Sequence, residues 1–342
     1  MDVVIRVENG IGRITLNRPQ ALHTLNTQMC RLMSEALTQW ADDDAVKMVM
    51  IDHIEGTRGF CAGGDIRMVA ESGRKDGKAG EDFFRVEYTL ITQINRFPKP
   101  YVALMDGVTM GGGVGISIHG SHRIATEHTL FAMPETGIGL FPDVGGSWFL
   151  PRLEGALGIW LALTGVRLKG RDVPAAGIAT HFIASANLPE VKARILAGEV
   201  LDKVLADYAE GLQAPAYAEH LDIINHCFSR PTITDICLAL KMADDDWATA
   251  QADILKTRSP LSMAVSLEQL RRGAQMSSFE DVMQMEYRIA CHIIRTHDFS
   301  EGVRAVIEDK DHAPKWSPET LAVVTKPMVE SMFTPVTEEL AL

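Results

Sequence analysis

The chain has 342 residues, of which 46% are apolar and 23% are charged. This composition is typical of a globular protein with one large core or two smaller ones, and it excludes a disordered chain, a collagen and a small disulfide scaffold. Asp and Glu total 45 against 33 for Lys and Arg, so the formal net charge is −12 and no broad nucleic-acid-binding surface is expected. A local basic pocket for a small anionic ligand stays open.

Cysteine usage and the first residues predict a cytoplasmic protein. The five cysteines form no Cys-x-x-Cys spacing, which disfavours a disulfide framework or a structural zinc site and favours a reducing compartment. Residues 1–7 have the pattern of a strand and lack the basic and apolar regions of a leader. No stretch approaches the roughly 18 apolar residues of a membrane span, so no membrane association is expected.

The first half of the chain predicts alternating strands and helices. Asn9-Gly10 separates two short apolar stretches, which is a strong hairpin signal. The predicted strands cover 3–7, 12–16, 46–53, 101–106, 123–125 and 130–132, and the predicted helices cover 25–41 and 83–97. Alternation at these lengths predicts an α/β fold with mostly parallel strand pairing.

From about residue 188 the pattern is typical of one helix after another. The predicted helices cover 191–200, 233–242, 259–272, 278–295 and 301–309. Ser259-Pro260 is a good start signal, because it offers a capping hydroxyl followed by a proline in the first turn. The composition changes near residues 190–210, so we predict a core over 1–200 and a helical C-terminal region over 201–342.

A first group of small residues lies at 60–67, between a buried strand and a predicted helix. Backbone N–H groups in such a segment can approach a ligand without interference from side chains. The plainer interpretation is a tight strand-to-helix turn with Asp65 near the start of the helix. Taken alone, this segment favours the plainer interpretation.

A second group, the glycines at 107–115, follows a predicted strand that ends at Asp106. If a helix opens there, its unpaired N–H groups favour an anion or a developing oxyanion. A Walker motif is excluded because no Gly-Lys-Ser/Thr follows, and the dinucleotide pattern fails because Ile116 stands at its third glycine. Close packing of the helix against another backbone explains the glycines equally well.

A third segment, 131–146, places Glu135 and Asp143 in an apolar, irregular stretch rich in Gly and Pro. Partial desolvation alters the basicity of such carboxylates and suits acid–base or nucleophilic work. The alternatives are an N-cap role for Asp143 and a satisfied buried hydrogen bond for Glu135. Two loops that aim N–H groups at one carbonyl oxygen, together with two carboxylates, would indicate acyl chemistry.

These segments resemble the crotonase (enoyl-CoA hydratase/isomerase) superfamily. Residues 61–66 and 110–113 are similar to its two oxyanion-hole motifs. The segments similar to its 3-hydroxyisobutyryl-CoA hydrolase branch are 99–104, 131–136, 139–146, 163–165, 168–172, 179–182, 259–262, 286–288 and 301–306. The resemblance covers most of the chain. It implies a spiral of ββα turns followed by an all-helical C-terminal region.

The resemblance also implies roles for residues that match the family's motifs. Gly64 and Gly112 match the amides of the oxyanion hole. Glu135 matches the catalytic glutamate, and Asp143 matches the second carboxylate of the hydrolases. The implied substrate-binding residues are Glu87, which matches a substrate-contacting glutamate, and Ala62, Asp65, Ile66, Ala21 and Leu22, which match segments around the nucleotide end of CoA.

One departure separates the chain from the hydratases of the superfamily. They carry a second glutamate shortly after the glycine triplet, where this sequence has Gly115, so water addition by paired glutamates is disfavoured. The resemblance implies hydrolysis of a short 3-hydroxyacyl-CoA, with 3-hydroxyisobutyryl-CoA of valine breakdown as the leading substrate. It implies no metal and no other cofactor, since CoA is part of the substrate, and it leaves a homo-oligomer open. The alternatives are an enoyl-CoA hydratase or isomerase and a CoA-ester-binding protein without turnover.

Overall fold

Strands and helices mix up to residue 182, and only helices follow, in a computed structural model that describes residues 1–342. The strands are β1 (Val3–Glu8), β2 (Ile11–Leu16), β3 (Met48–His53), β4 (Gly59–Cys61), β5 (Tyr101–Met105), β6 (Val108–Met110), β7 (His122–Ala125), β8 (Leu130–Ala132), β9 (Leu168–Lys169) and β10 (His181–Phe182). The α-helices are α1 (Thr27–Asp42), α2 (Ile66–Gly73), α3 (Lys78–Asn95), α4 (Gly112–Ile118), α5 (Gly146–Phe149), α6 (Leu157–Thr164), α7 (Asp172–Ala175), α8 (Leu188–Leu196), α9 (Leu201–Tyr208), α10 (Leu221–Phe228), α11 (Ile233–Met242), α12 (Asp246–Lys256), α13 (Pro260–Gln275), α14 (Phe279–Ile293), α15 (His297–Val303) and α16 (Lys326–Ser331). The predicted α/β class with a helical C-terminal region is confirmed.

The first of two compact units contains residues 1–64, 89–131 and 167–216. Its larger sheet has the strand order β1-β2-β3-β5-β7-β10, and it is antiparallel only between β1 and β2. Asn9 and Gly10 make the hairpin turn with φ values of +50° and +81°, the left-handed conformation that this turn requires. The predicted hairpin and the mostly parallel pairing are therefore confirmed.

The core of this unit lies between the larger sheet and the helices α8 and α9. Its buried members are Ile11, Met50, Val102, Leu104, Ile124, Ile183, Leu188, Val191, Ile195, Leu201, Val204 and Leu205. Burial of each large aliphatic side chain contributes about 1.5–3 kcal/mol to the free energy of unfolding. This packing fixes the parallel strands β3 and β5, which directly precede β4 and β6 along the chain.

A smaller sheet of the order β4-β6-β8-β9 carries the two glycine segments. Strands β4 and β6 are parallel, with Gly59 opposite Val108 and Cys61 opposite Thr109. Parallel neighbours end at the same edge of a sheet, which is where ligands bind in many α/β proteins. The loops that follow β4 and β6 therefore begin side by side.

The second unit contains residues 65–88, 132–166 and 217–342, and it is almost entirely helical. This division differs from the expected one at residue 200, because a change in composition marks where strands stop and not which segments pack together. The division into 1–200 and 201–342 stays a prediction. No helix of the chain is both long and apolar enough to cross a bilayer.

Helix boundaries in the second unit follow the capping signals closely. Ser259 and Ser278 cap α13 and α14 by accepting hydrogen bonds from the N–H groups of Ser262 and Asp281. The segment predicted as one helix over 301–309 is different, because α15 ends at Val303 and a π-helical turn covers Arg304–Glu308. Apolar spacing does not distinguish this wider turn from an α-helix.

Candidate active site

The two glycine segments of the first unit lie against each other. A Cβ atom on Gly63 would lie 3.9 Å from the amide nitrogen of Gly112, and one on Gly113 would lie only 2.1 Å from the carbonyl oxygen of Cys61. The second distance is far below van der Waals contact, so only glycine at position 113 allows the segments to approach this closely. The structure therefore brings together the loops that carry Gly64 and Gly112.

The two amides are oriented by their local backbone. Leu25 N–H donates a hydrogen bond of 2.8 Å to the carbonyl of Gly63, and in a trans peptide the Gly64 N–H points the opposite way from that carbonyl. Gly112 is the first residue of α4, so its N–H has no acceptor within the helix. Neither the strand-like bond at Gly63 nor helix α4 uses these two N–H groups, which agrees with a role as donors to a ligand oxygen.

Three of the residues implied in CoA binding adjoin one another in the first unit. Ala62 N–H donates to the carbonyl of Leu22 over 3.0 Å, and Ala21 ends the 3-10 turn that immediately precedes Leu22. Leu22 is 39% exposed and has a φ of +47°. The backbone of 21–22 therefore lies beside that of residue 62, with Leu22 exposed and Ala21 and Ala62 half-buried, and contact of these residues with CoA stays a prediction.

The other two implied residues belong to the second unit. Asp65 is the N-cap of α2, and its Oδ1 atom accepts a hydrogen bond of 3.3 Å from Met68 N–H. Ile66 is the first residue of that helix and is half-buried. The plainer interpretation of Asp65 as a residue at a helix start is thus correct, and a substrate contact for either residue stays a prediction.

Four buried carboxylic acids and one tyrosine form a group in the second unit that we call the carboxylate cluster. Its members are Glu87, Tyr88, Glu135, Asp143 and Glu286, none of them more than 4% exposed. Burial and then the charge of Asp143 raise the pKa of Glu87 and of Glu135 well above their usual values. Like charges in a poorly solvated place disfavour ionisation of one another, which is the arrangement that acid–base chemistry uses.

Asp143 is held by a hydrogen bond from Tyr88, whose hydroxyl donates to Oδ2 over 2.8 Å. Burial raises the pKa of Asp143 to about 7, although the bond from Tyr88 acts in the opposite direction. Gly145, and not Asp143, is the N-cap of α5. The alternative role of Asp143 as a side-chain cap is therefore not observed, and its carboxyl has a pKa suited to proton transfer near neutral pH.

Glu135 opens a 3-10 turn directly after Pro134, and its carboxyl is buried. Its Oε2 atom has no hydrogen-bond partner. The alternative of a fully satisfied structural hydrogen bond therefore does not hold for this oxygen. A buried polar atom without a partner destabilises a fold by about 1–3 kcal/mol, so its retention points to a function.

Glu87 lies on α3, where sequence alone favours an exposed helix charge. The structure instead buries it to 2% exposure and leaves its Oε1 atom without a hydrogen-bond partner. Only the family resemblance indicated Glu87 as a site residue. Its position in the carboxylate cluster agrees with that implication.

Glu286 and Tyr88 were missed as candidate site residues. Glu286 lies on the buried face of α14, among Val282, Met283 and Ile289, and it is fully buried. An acidic residue on an apolar helix face needs partners, and this pattern was a readable signal. Tyr88 gave no such signal, because its partner Asp143 is 55 residues away in the sequence.

Comparison with known proteins places these features in a family. The model of the enoyl-CoA hydratase/isomerase family matches residues 11–333. A Xenopus tropicalis protein named "3-hydroxyisobutyryl-CoA hydrolase, mitochondrial" is 47% identical over 94% of this chain and 86% of its own length. The Homo sapiens protein of the same name is 44% identical over 97% of this chain and 88% of its own length.

A solved structure agrees with this placement. The crystal structure of a carnitinyl-CoA dehydratase from Mycobacterium thermoresistibile has a TM-score of 0.95 and 42% sequence identity, covering 99% of this chain and 98% of its own. The chain therefore belongs to the enoyl-CoA hydratase/isomerase family. The resemblance to the crotonase superfamily that the glycine motifs indicated is confirmed.

The predicted cytoplasmic location is wrong. The names of both hydrolase relatives place those proteins in mitochondria. Cysteine usage reports on redox conditions, and it does not distinguish between compartments that share those conditions. The expectation rested on that signal and on the first residues of the sequence, and neither carries the information needed.

Proposed function

We propose that this chain hydrolyses 3-hydroxyisobutyryl-CoA to 3-hydroxyisobutyrate and CoA, a reaction of valine breakdown. The observation that carries the proposal is the buried pair of Glu135 and Asp143, together with Gly115 where the hydratases have their second glutamate. The names of relatives 44–47% identical over most of the chain support it. The enzyme is an acyl-CoA thioester hydrolase.

The amides of Gly64 and Gly112 bind the carbonyl oxygen of the thioester in this proposal. Two N–H donors polarise the carbonyl and stabilise the oxyanion that forms on attack. Loss of one donor of this kind lowers the rate by about 10²–10³-fold. The close approach of the two glycine loops supports these roles.

Glu135 either attacks the carbonyl carbon as a nucleophile or activates a water molecule, and its unpartnered Oε2 atom suits both routes. Asp143 orients the water and accepts and passes on its proton. In either route the bond between the acyl carbon and sulfur breaks, water supplies the new hydroxyl group, and CoA leaves as a thiol.

Glu87 binds the 3-hydroxyl group of the substrate, because its buried Oε1 atom is an acceptor without a protein donor. The backbone near Ala21, Leu22 and Ala62 and the start of α2 bind the nucleotide end of CoA. The proposed reaction consumes only water and the thioester and changes no oxidation state, so it needs no redox cofactor. The carboxylates and amides named above do its chemistry in this proposal, without a metal.

A second candidate is reversible addition of water to an enoyl-CoA. The name of the 42% identical carnitinyl-CoA dehydratase favours it. Gly115 disfavours it, because position 115 has no side chain that could exchange a proton with the substrate. A CoA-ester-binding protein without turnover is the third alternative.

A thiol-release assay decides between these functions. We expect rapid release with 3-hydroxyisobutyryl-CoA, slower release with 3-hydroxypropionyl-CoA and none with crotonyl-CoA. Consumption of crotonyl-CoA without release of thiol would indicate the hydratase instead. Tight binding of all three esters without any product would indicate a binding protein.

The variant Glu135→Gln tests the assigned carboxylate in the same assay, and Glu301→Gln is its control. Glu301 is also a glutamate of the second unit, but it binds Arg304 and the N–H of Lys315. We expect Glu135→Gln to lose turnover by at least about 10³-fold, while Glu301→Gln keeps the kcat of the unaltered protein. Full thioesterase turnover in Glu135→Gln would remove Glu135 from the mechanism.

A further inference from the structure

The backbone directly after Asp143 is strained. Val144 has a φ of +55° and Gly145 a φ of +84°. A β-branched residue in this left-handed region is a genuine outlier, and such residues persist only where the surrounding structure holds them. Something must therefore fix the segment 143–147 in this conformation.

Glu286 binds the backbone of this segment at two points. Its Oε2 atom accepts a hydrogen bond from Gly145 N–H, and its Oε1 atom accepts one from Ser147 N–H, each over 2.8 Å. Both carboxyl oxygens are thus used, and the side chain is fully buried. The two bonds act on the residues that immediately follow the strained Val144.

The backbone on the other side of Asp143 is held as well. Gln269 on α13 is fully buried, and its Nε2 atom donates to the carbonyl oxygen of Pro142 over 2.7 Å. Asp143 and Val144 therefore lie between two anchored peptide groups. The hydrogen bond from Tyr88 adds a third restraint, on the carboxyl group itself.

We propose that Glu286 is a positioning residue, whose carboxyl group holds the strained segment 143–147 so that Asp143 faces the reacting thioester. This role rests on the proposed function of Asp143. A carboxyl group suits it because its two oxygens accept from two N–H groups at once. A glutamine has only one acceptor, and its amide group would oppose the second N–H.

The carboxyl group of Glu286 is costly at this position. Burial, opposed by the two backbone N–H groups, raises its pKa to about 8, and the charge of Asp143 adds to the rise. If the side chain at position 286 only had to join α14 to this loop, a neutral side chain that forms hydrogen bonds would be sufficient. Retention of an acid beside Asp143 agrees with a demand for two acceptors at one point.

The variant Glu286→Gln tests the role by steady-state kinetics with 3-hydroxyisobutyryl-CoA. We expect kcat to fall by about 10–100-fold, because a shift of about 1 Å at a catalytic group costs on that order, while KM changes by less than about threefold. Glu301→Gln is the matched control, and we expect it to keep its kcat. Thermal unfolding is measured on each variant, and Glu286→Asp replaces Glu286→Gln if the latter does not fold.

Glu286→Gln is also measured in a chain that carries Val144→Gly, which distinguishes a positioning role from general damage to the fold. In Val144→Gly the left-handed conformation has no steric cost, so the segment 143–147 needs less restraint. We expect the loss of kcat caused by Glu286→Gln to be at least about fivefold smaller in this background than in the unaltered chain. An equal loss in both backgrounds, or a loss expressed in KM alone, would refute the positioning role.

Asp143→Asn keeps the two proposals apart. If this variant retains turnover, Asp143 has no role in the reaction and the proposed function of that residue fails. If Asp143→Asn is inactive while Glu286→Gln keeps its full kcat, only the positioning role fails.

Discussion

The hydroxyl of Tyr88 donates a hydrogen bond of 2.8 Å to Oδ2 of Asp143, and both groups are buried. The bond stabilises the ionised form of Asp143, because a phenol donates its proton more strongly to a carboxylate than to a carboxylic acid. Burial acts in the opposite direction, and the pKa that results is about 7. Tyr88 therefore keeps part of the Asp143 population ionised at neutral pH.

Removal of this donor should move the pH dependence of turnover. In Tyr88→Phe the pKa of Asp143 rises, and since the ionised form accepts a proton from water, the acid limb of the kcat profile moves to higher pH. A hydrogen bond worth about 1 kcal/mol corresponds to a shift of about 0.7 pH unit. The kcat of thiol release from pH 5 to 9 measures it. Tyr287→Phe is the control, because that hydroxyl accepts from Arg85, and a shift in both variants or in neither would contradict the assignment.

Glu135→Gln should stabilise the fold, and the gain should grow with pH. The pKa of Glu135 is raised above the ordinary value near 4.5, so its contribution to stability is lost as pH rises from there through the folded-state pKa. Glutamine is neutral throughout, so we expect a gain in the free energy of unfolding at pH 8 and a clearly smaller gain at pH 5. Urea unfolding at the two pH values measures the difference.

Glu301→Gln is the control for that measurement, and its expected change in stability has the opposite sign. Hydrogen bonds from Arg304 lower the pKa of Glu301 to about 2, so its ionised form stabilises the folded state above its ordinary pKa. Glu301→Gln should therefore lose stability at pH 8. A loss of stability in Glu135→Gln as well would mean that the Glu135 carboxyl is better satisfied than its contacts indicate.

Glu87 should determine selectivity for the 3-hydroxyl group. Glu87→Leu removes both oxygens, and we expect its kcat/KM for 3-hydroxyisobutyryl-CoA to fall by about 5–10-fold, the value of one hydrogen bond between neutral groups, because burial favours the neutral form of this carboxyl. Isobutyryl-CoA lacks the hydroxyl, and its kcat/KM should change by less than about threefold. Glu87→Gln keeps an acceptor oxygen and should retain most of the selectivity. Equal losses for both esters in Glu87→Leu would place the residue elsewhere in the mechanism.

Gly113→Ala should separate the two glycine loops. The new methyl group would lie 2.1 Å from the carbonyl oxygen of Cys61, so the loops must move apart. We expect a loss of about 1–3 kcal/mol in the free energy of unfolding. We also expect kcat to fall by a larger factor than the fraction of folded protein does. Gly211→Ala is the control, because no atom lies within 4 Å of its added Cβ and its stability should change by less than about 0.5 kcal/mol. Unchanged turnover in Gly113→Ala would show that the spacing of the loops is not important.

Local signals in the sequence predicted most of the fold and part of the site. The Asn9-Gly10 turn and the caps at Ser259 and Ser278 depend only on residues close by in the sequence, so the sequence alone predicted them. Glu87 was different, because its own helix pattern does not reveal which face is covered. The hydrogen bonds from Gly145 and Ser147 to Glu286 could not be predicted from local sequence at all, since Glu286 is about 140 residues away from the amides that it binds.

Neither compact unit is one continuous stretch of chain, and this arrangement determines the order in which the parts are finished during synthesis. The ribosome produces Glu87, Glu135 and Asp143 well before residues 217–342, which complete the second unit. Until α14 emerges, Gly145 and Ser147 have no carboxyl acceptor. A nascent or prematurely terminated chain therefore already carries the acids proposed to cleave the thioester, but it lacks the helix that holds one of them in place.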